Sequence, residues 1–71
     1  MIKVKIDYQG ELEDFAFDTE LPKIPEKSDL IGFWHTDSEG NDEWVLSTIV
    51  SIVYEIHQNK SFHQIEITVT S

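Results

Sequence analysis

The sequence predicts an all-β domain of about five antiparallel strands that curl into a small, partly open, SH3-like barrel. Over residues 44–56 the even positions are almost wholly apolar and the odd positions are mixed. A shorter alternation follows over residues 65–69, and both runs are rich in β-branched side chains. A period of two is the geometry of a strand with one face in a core, and β-branched residues favour strands.

The N-terminus predicts a β-hairpin. Apolar residues at even positions alternate with polar ones over residues 2–8, and Gly10 then marks a turn. We expect a return strand over residues 12–19, with Phe15 and Phe17 facing inward.

The middle of the chain predicts a proline-containing connection and a third strand. Pro22 and Pro25 cannot donate to a strand ladder, so they separate the hairpin from the strand expected over residues 29–35. Gly32 within that strand indicates a bulge or a close backbone approach. Gly40 lies in the polar loop that follows and is the expected tight turn.

The fourth strand is expected over residues 44–56 and the fifth over residues 62–69, with an unfixed register between them. The alternative is an α+β fold with a helix near residues 43–53, because some apolar residues there also have helical spacing. Six β-branched residues between Val45 and Val53 favour the strand. The predicted core comprises Ile2, Val4, Ile6, Phe15, Phe17, Leu30, Trp44, Leu46, Val50, Ile52, Tyr54, Ile56, Ile65, Ile67 and Val69.

Length and composition predict a single small domain over residues 1–71. The chain has no cysteine, which argues against a disulfide-stapled secreted domain and a thiolate metal site. The first residues alternate charged and apolar side chains, unlike a signal peptide, and no apolar run is long enough to span a membrane. We therefore expect a cytoplasmic protein.

Charge narrows the classes of partner. The formal net charge is -9, with fourteen acids, five lysines and no arginine. Residues 1–43 carry a net charge of -8 and residues 44–71 only -1. Direct nucleic-acid binding and anionic membrane binding both need clustered cationic side chains, so neither is expected. Acidity also favours solubility.

The sequence contains no catalytic or cofactor motif, so we predict a protein that is not an enzyme, without a cofactor or small-molecule ligand. His57, His63 and Glu55 could form a metal site only in one hairpin register, and exposed loop histidines are the favoured interpretation. The acids at 37, 39, 42 and 43 lack the order of a calcium loop, and no metal is predicted. A second acidic group lies at residues 11–14.

The stretch Leu21-Pro22-Lys23-Ile24-Pro25-Glu26-Lys27-Ser28-Asp29, with Val50-Ser51-Ile52-Val53-Tyr54 later, resembles short uncharacterised bacterial and phage proteins that form small β-barrels. These often carry a Leu-Pro-x-hydrophobic-Pro-x-x-Gly-Asp entry to the third strand. Ser28 stands where they usually have glycine. The resemblance implies a fold and a bacterial or phage setting, and no activity.

The predicted function is a non-enzymatic protein-interaction or structural module that binds a protein partner or a second copy of itself. Phe33 and Trp34 point to opposite faces of one strand, so one of them is expected outside the core, and aromatic residues often anchor interfaces. The alternative is an acidic inhibitor that imitates nucleic acid and binds a basic protein groove. The candidate interaction residues are Phe33, Trp34, Asp37, Glu39, Asp42 and Glu43.

Overall fold

The computed structural model describes residues 1–11, 13–60 and 63–71, without the side chain of His63. The described residues are all-β and contain no helix, so the predicted fold class is confirmed and the alternative helix over residues 43–53 is wrong. The strands are β1 (Ile2–Tyr8), β2 (Phe15–Leu21), β3 (Leu30–Thr36), β4 (Asp42–Ile56) and β5 (His63–Thr70). The predicted strand starts at Leu12 and Phe62 lie outside the described residues.

The five strands form one curled sheet in the order β2-β1-β5-β4-β3. Three pairings are antiparallel, but β1 and β5 run parallel, which corrects the expectation of antiparallel strands throughout. Alternation reports which side chains share a face and carries no information about the direction of a distant neighbour.

The two edge strands, β2 and β3, approach each other through aromatic side chains. The ring centroids of Phe17 and Phe33 lie 5.1 Å apart. Those of Phe15 and His35 lie 4.0 Å apart in a stacked arrangement. These contacts curl the sheet into a half-barrel, whose concave inner face holds the core.

The core contradicts the predicted inward face of β4. Val45 and Ile49 are buried, whereas Trp44 and Leu46 are more than half exposed. The even face is the more apolar of the two, but the odd face also carries Val45, Ile49 and Val53, so the stronger periodicity indicated the wrong face. The buried apolar residues are Val4, Ile6, Tyr8, Val45, Ile49, Ile67 and Val69. The predicted core residues found exposed are Leu30, Trp44, Leu46, Val50, Tyr54 and Ile56.

A register shift between Ile49 and Ser51 changes which residues of β4 face inward. Before the shift the odd residues face the core, and after it Ile52 lies opposite the buried Ile67. An extra residue in one strand of an antiparallel pair has this effect, because side chains alternate with a period of two.

The turn that leads into β3 places Ser28 at a φ of 77°. The N–H of Asp29 donates to the carbonyl of Glu26 at 3.1 Å, so Ser28 is the third residue of a four-residue turn. A positive φ at this position is typical of a type II turn and favours glycine. The N–H of Ser28 also donates to the carbonyl of Ile49 at 2.8 Å.

No helix among the described residues is long and apolar enough to cross a membrane.

Candidate functional site

Two tryptophans lie side by side on the convex outer face of the sheet. Trp34 of β3 is directly opposite Trp44 of β4. Their ring centroids are 5.4 Å apart and the rings are tilted by 58°. Trp34 is 67% exposed and Trp44 is 52% exposed. Large aromatic side chains usually gain from burial, so this pair is a candidate binding surface.

Gly32 explains the position of the Trp44 ring. A Cβ atom built on Gly32 would lie 2.3 and 2.4 Å from two carbons of that ring. The indole therefore lies over the backbone of β3, in space that any side chain at position 32 would fill. The expected bulge or close backbone approach at Gly32 is thus corrected: the pairing is regular there, and the approaching group is an aromatic ring.

Two leucines extend the apolar surface along the same outer face. Leu30 is 68% exposed, and Leu46, opposite Gly32, is 54% exposed. We call the surface formed by Leu30, Trp34, Trp44 and Leu46 the tryptophan face. A contiguous exposed apolar patch on a small domain often marks an interaction site.

Phe33, a predicted interaction residue, lies on the opposite face. It is half-buried, and its ring packs against Phe17 at 5.1 Å and Tyr8 at 6.0 Å between centroids. Trp34 is the exposed member of the predicted pair, whereas Phe33 contributes to packing between the edge strands.

The loop between β3 and β4 holds its acidic side chains in an ordered turn. The Asp37 carboxylate oxygen Oδ1 accepts hydrogen bonds from the N–H groups of Asn41 and Glu39, both at 2.9 Å. The bond from Asn41 is the main cause that lowers the pKa of Asp37. The Thr36 hydroxyl donates to Oδ1 of Asp42 at 2.6 Å. Gly40 has a φ of 86°, which confirms the predicted turn.

The loop between β1 and β2 lies at the same end of the half-barrel. Phe15 stacks on His35, which brings the start of β2 beside the end of β3. Glu11 and Glu43 line one shallow pocket of about 180 Å³ together with Trp44. The Glu11 N–H donates to the Ser71 hydroxyl at 3.3 Å, which connects this loop to the end of β5.

Two acidic groups that are separate in the sequence therefore meet at one end of the molecule. Residues 9–14 and 36–43, which comprise the two loops and the adjoining ends of β3 and β4, contain half of the fourteen acids and no lysine. We call this set the acidic end, formed by Glu11, Glu13, Asp14, Asp37, Glu39, Asp42 and Glu43. Four of the predicted interaction residues belong to it. The acids at residues 11–14 were not among the predicted interaction residues, because the curl that joins the two loops is a long-range feature.

Another surface groove has a different character. It has a volume of about 440 Å³ and is lined by Lys3, Lys5, Asp18, Glu20 and neighbouring residues of β1, β2 and β5. Both signs of charge are present in equal number, so the groove lacks the strong negative potential of the acidic end.

The histidines do not share one site among the described side chains. His35 is stacked on Phe15 inside the half-barrel. His57 directly follows β4, and the side chain of His63 lies outside the described part of the structure. No three histidine, aspartate or glutamate side chains in that described part come together to hold a metal ion.

Comparisons of this chain with protein-family models, with curated proteins and with solved structures found no match.

Proposed function

We propose that this chain is a non-enzymatic protein-interaction module of the bacterial or phage cytoplasm, whose tryptophan face binds a basic segment of another protein. The observation that carries this proposal is the exposed pair of Trp34 and Trp44 next to an end with seven carboxylates.

The tryptophan face suits a protein ligand. Tryptophan is enriched among residues that dominate binding energy, because it buries a large area with few rotatable bonds. The Trp44 ring is already placed over Gly32 and beside Trp34, so little side-chain freedom is lost on binding.

The negative charge next to this face favours a positively charged ligand. Asp42 lies two residues before Trp44 on the same face of β4, so a lysine or arginine of the partner can pair with it. The same cation can stack on an exposed indole, which adds about 0.5–1 kcal/mol at an exposed site. Negative charge also speeds the encounter with a basic partner.

An acidic inhibitor that imitates nucleic acid is the second candidate. The observation that favours it is the meeting of both acidic loops at one end, which concentrates negative charge on one surface. In that function the carboxylates contribute most of the binding, and the tryptophans contribute little.

Intrinsic fluorescence tests the first proposal directly, because the chain has only two tryptophans and both lie in the face. The probe is a synthetic peptide that alternates lysine and leucine, with an oligolysine of equal charge for comparison. We expect the lysine–leucine peptide to shift the emission to the blue and to bind about tenfold or more tightly than oligolysine.

Matched variants separate the two candidates by calorimetry. Trp34→Ser should weaken the lysine–leucine peptide about tenfold, while Tyr54→Ser, which removes another aromatic ring that is more than half exposed, should not. Asp42→Asn with Glu43→Gln should weaken both peptides, and Asp18→Asn with Glu20→Gln is the control of equal charge. Loss of binding in the acidic variant alone, with Trp34→Ser unaffected, would favour the nucleic-acid mimic. Absence of binding to either peptide would contradict both candidates.

A further inference from the structure

The second half of β4 has a free edge. β3 pairs with β4 from Asp42 to Thr48, and residues 28 and 29 then bond to the backbone of Ile49. From Val50 to Ile56 no described residue pairs with this edge of the strand. On its other side this segment pairs with β5. The β4–β5 hairpin therefore extends beyond β3.

Successive residues of a strand direct their N–H and C=O groups to opposite sides, which identifies the groups that point outward from this edge. The carbonyl of Val69 accepts the N–H of Gln9, so it points toward β1. Thr68 then faces β4, where Ser51 is its partner, and Ser51 points toward β5. Ile52, Tyr54 and Ile56 consequently direct their N–H and C=O groups outward from the sheet.

The free edge has few of the features that prevent strand pairing. Proteins protect such edges with lysine, proline, short strands or covering loops. Residues 50–56 contain no lysine or proline and a single charge, on Glu55. Val53, Tyr54 and Ile56 are 50%, 56% and 73% exposed, although they are large apolar residues in a strand.

We propose that a second copy of this chain pairs with this edge in antiparallel orientation, about a twofold axis at Tyr54. In this register Tyr54 lies opposite the partner's Tyr54, and Ile52 lies opposite the partner's Ile56. The outward groups of Ile52, Tyr54 and Ile56 then all find partners, and two five-stranded sheets become one of ten strands. The surface is separate from the tryptophan face, so the proposal stands independently of the function proposed above.

Charge favours a second copy at this place. The chain carries -9 in total, so most surfaces of two copies repel each other. The free edge lies in the part of the chain with a net charge of only -1. In the proposed register Glu55 lies opposite the partner's Val53, which keeps the two glutamates from facing each other directly.

Sedimentation equilibrium of the full chain tests the association. We expect a monomer–dimer equilibrium that shifts toward the dimer as salt is added, because screening reduces the repulsion between two acidic copies. Binding to a basic partner should show the opposite dependence on salt. A wild-type chain that stays monomeric up to millimolar concentration in high salt would overturn the proposal.

Charge exchange at position 54 tests the register. Tyr54→Glu and Tyr54→Lys each place like charges opposite each other, so each variant alone should dissociate about tenfold or more easily. An equimolar mixture should restore the dimer, because glutamate then faces lysine. A mixture that stays monomeric, or single variants that dimerise like the wild type, would overturn the proposal.

Tyr54→Pro tests the backbone pairing without removing an internal hydrogen bond. The N–H of Tyr54 points outward, and proline is tolerated on edge strands in that position. We expect a monomer with an unchanged tryptophan emission spectrum. Tyr54→Thr, which keeps the N–H, should still dimerise. Dimerisation of the proline variant equal to that of the wild type would contradict edge pairing.

Discussion

The two halves of β4 share one strand and similar residue types but differ in burial. Residues 42–48 pair with β3, and Val45 in this segment and Ile49 next to it are buried. Residues 51–56 pair with β5, in a hairpin end that extends beyond both β1 and β3. Tyr54 and Ile56 there are more than half exposed although they lie on the face that carries the core. The difference teaches that the position of a residue over the rest of the sheet, more than its side-chain character, decides whether it becomes part of a core.

The largest expected contrast between the two halves is in the free energy of unfolding. Ile49→Ala should lower stability by about 2–5 kcal/mol, since it removes buried methyl groups and leaves a cavity. Ile56→Ala, the same change at a 73% exposed position, should stay within about 0.5 kcal/mol. Denaturant unfolding at low protein concentration measures both. Equal losses would show that the second half of β4 is also covered.

Ser47 tests the first half of β4 with a substitution that should stabilise the fold. It is buried, and its hydroxyl oxygen has no hydrogen-bond partner among the described residues. An unpaired buried polar group costs about 1–3 kcal/mol, so Ser47→Ala should stabilise the fold by about 1 kcal/mol. Ser51→Ala, after the register shift, should change stability by less than about 0.5 kcal/mol. Thermal unfolding of the pair measures the difference, and a destabilised Ser47→Ala would contradict this account.

Ser28 lies beside Ile49, at the end of the β4 segment that pairs with β3. Its φ of 77° is strained for a residue with a side chain, and its N–H bonds to Ile49. Ser28→Gly should relieve that strain and stabilise the fold by about 0.5–1 kcal/mol, after the larger entropy of the unfolded glycine chain is subtracted. Chemical denaturation should show a higher midpoint with an unchanged slope. Ser28→Ala, which keeps the strain, is the control and should not stabilise.

Substitution of Asp37, in the loop before β4, gives the smallest expected effect on stability. Hydrogen bonds from the N–H groups of Asn41 and Glu39 lower its pKa. The stabilisation is therefore present above the ordinary carboxyl pKa and is lost as the pH falls through the lowered value. Asp37→Asn should unfold at a slightly lower temperature than the wild type at neutral pH, and the difference should shrink in acid. A difference that grows in acid would contradict this assignment.

Much of the fold was predictable from local pattern. Five strands follow from the period-two alternation, and the turn at Gly40 follows from a residue that tolerates a positive φ. The left-handed backbone at Ser28 was not predicted, because serine rarely adopts a positive φ. One of Phe33 and Trp34 was expected outside the core, and the structure shows that it is Trp34. The acids between Trp34 and Trp44 are exposed, as a polar loop must meet solvent.

The candidate site was only partly predictable, because its neighbours are distant in sequence. Trp44 was assigned to the core, and only its pairing with Trp34 over Gly32 places it outside. The acidic loop at residues 9–14 joins the other acids only because Phe15 stacks on His35. Pairwise contacts of this kind leave no periodic signal in the chain.

The sequence by itself determined that this protein is an acidic β-domain with five strands and a polar loop between two tryptophans. These properties depend on composition and on the alternation of neighbouring residues. The tertiary structure alone decided which apolar face of β4 is buried, that β1 and β5 run parallel, and that one edge of β4 stays free. The physical reason is that burial and strand pairing are properties of two segments in contact, and a one-residue register shift reverses them.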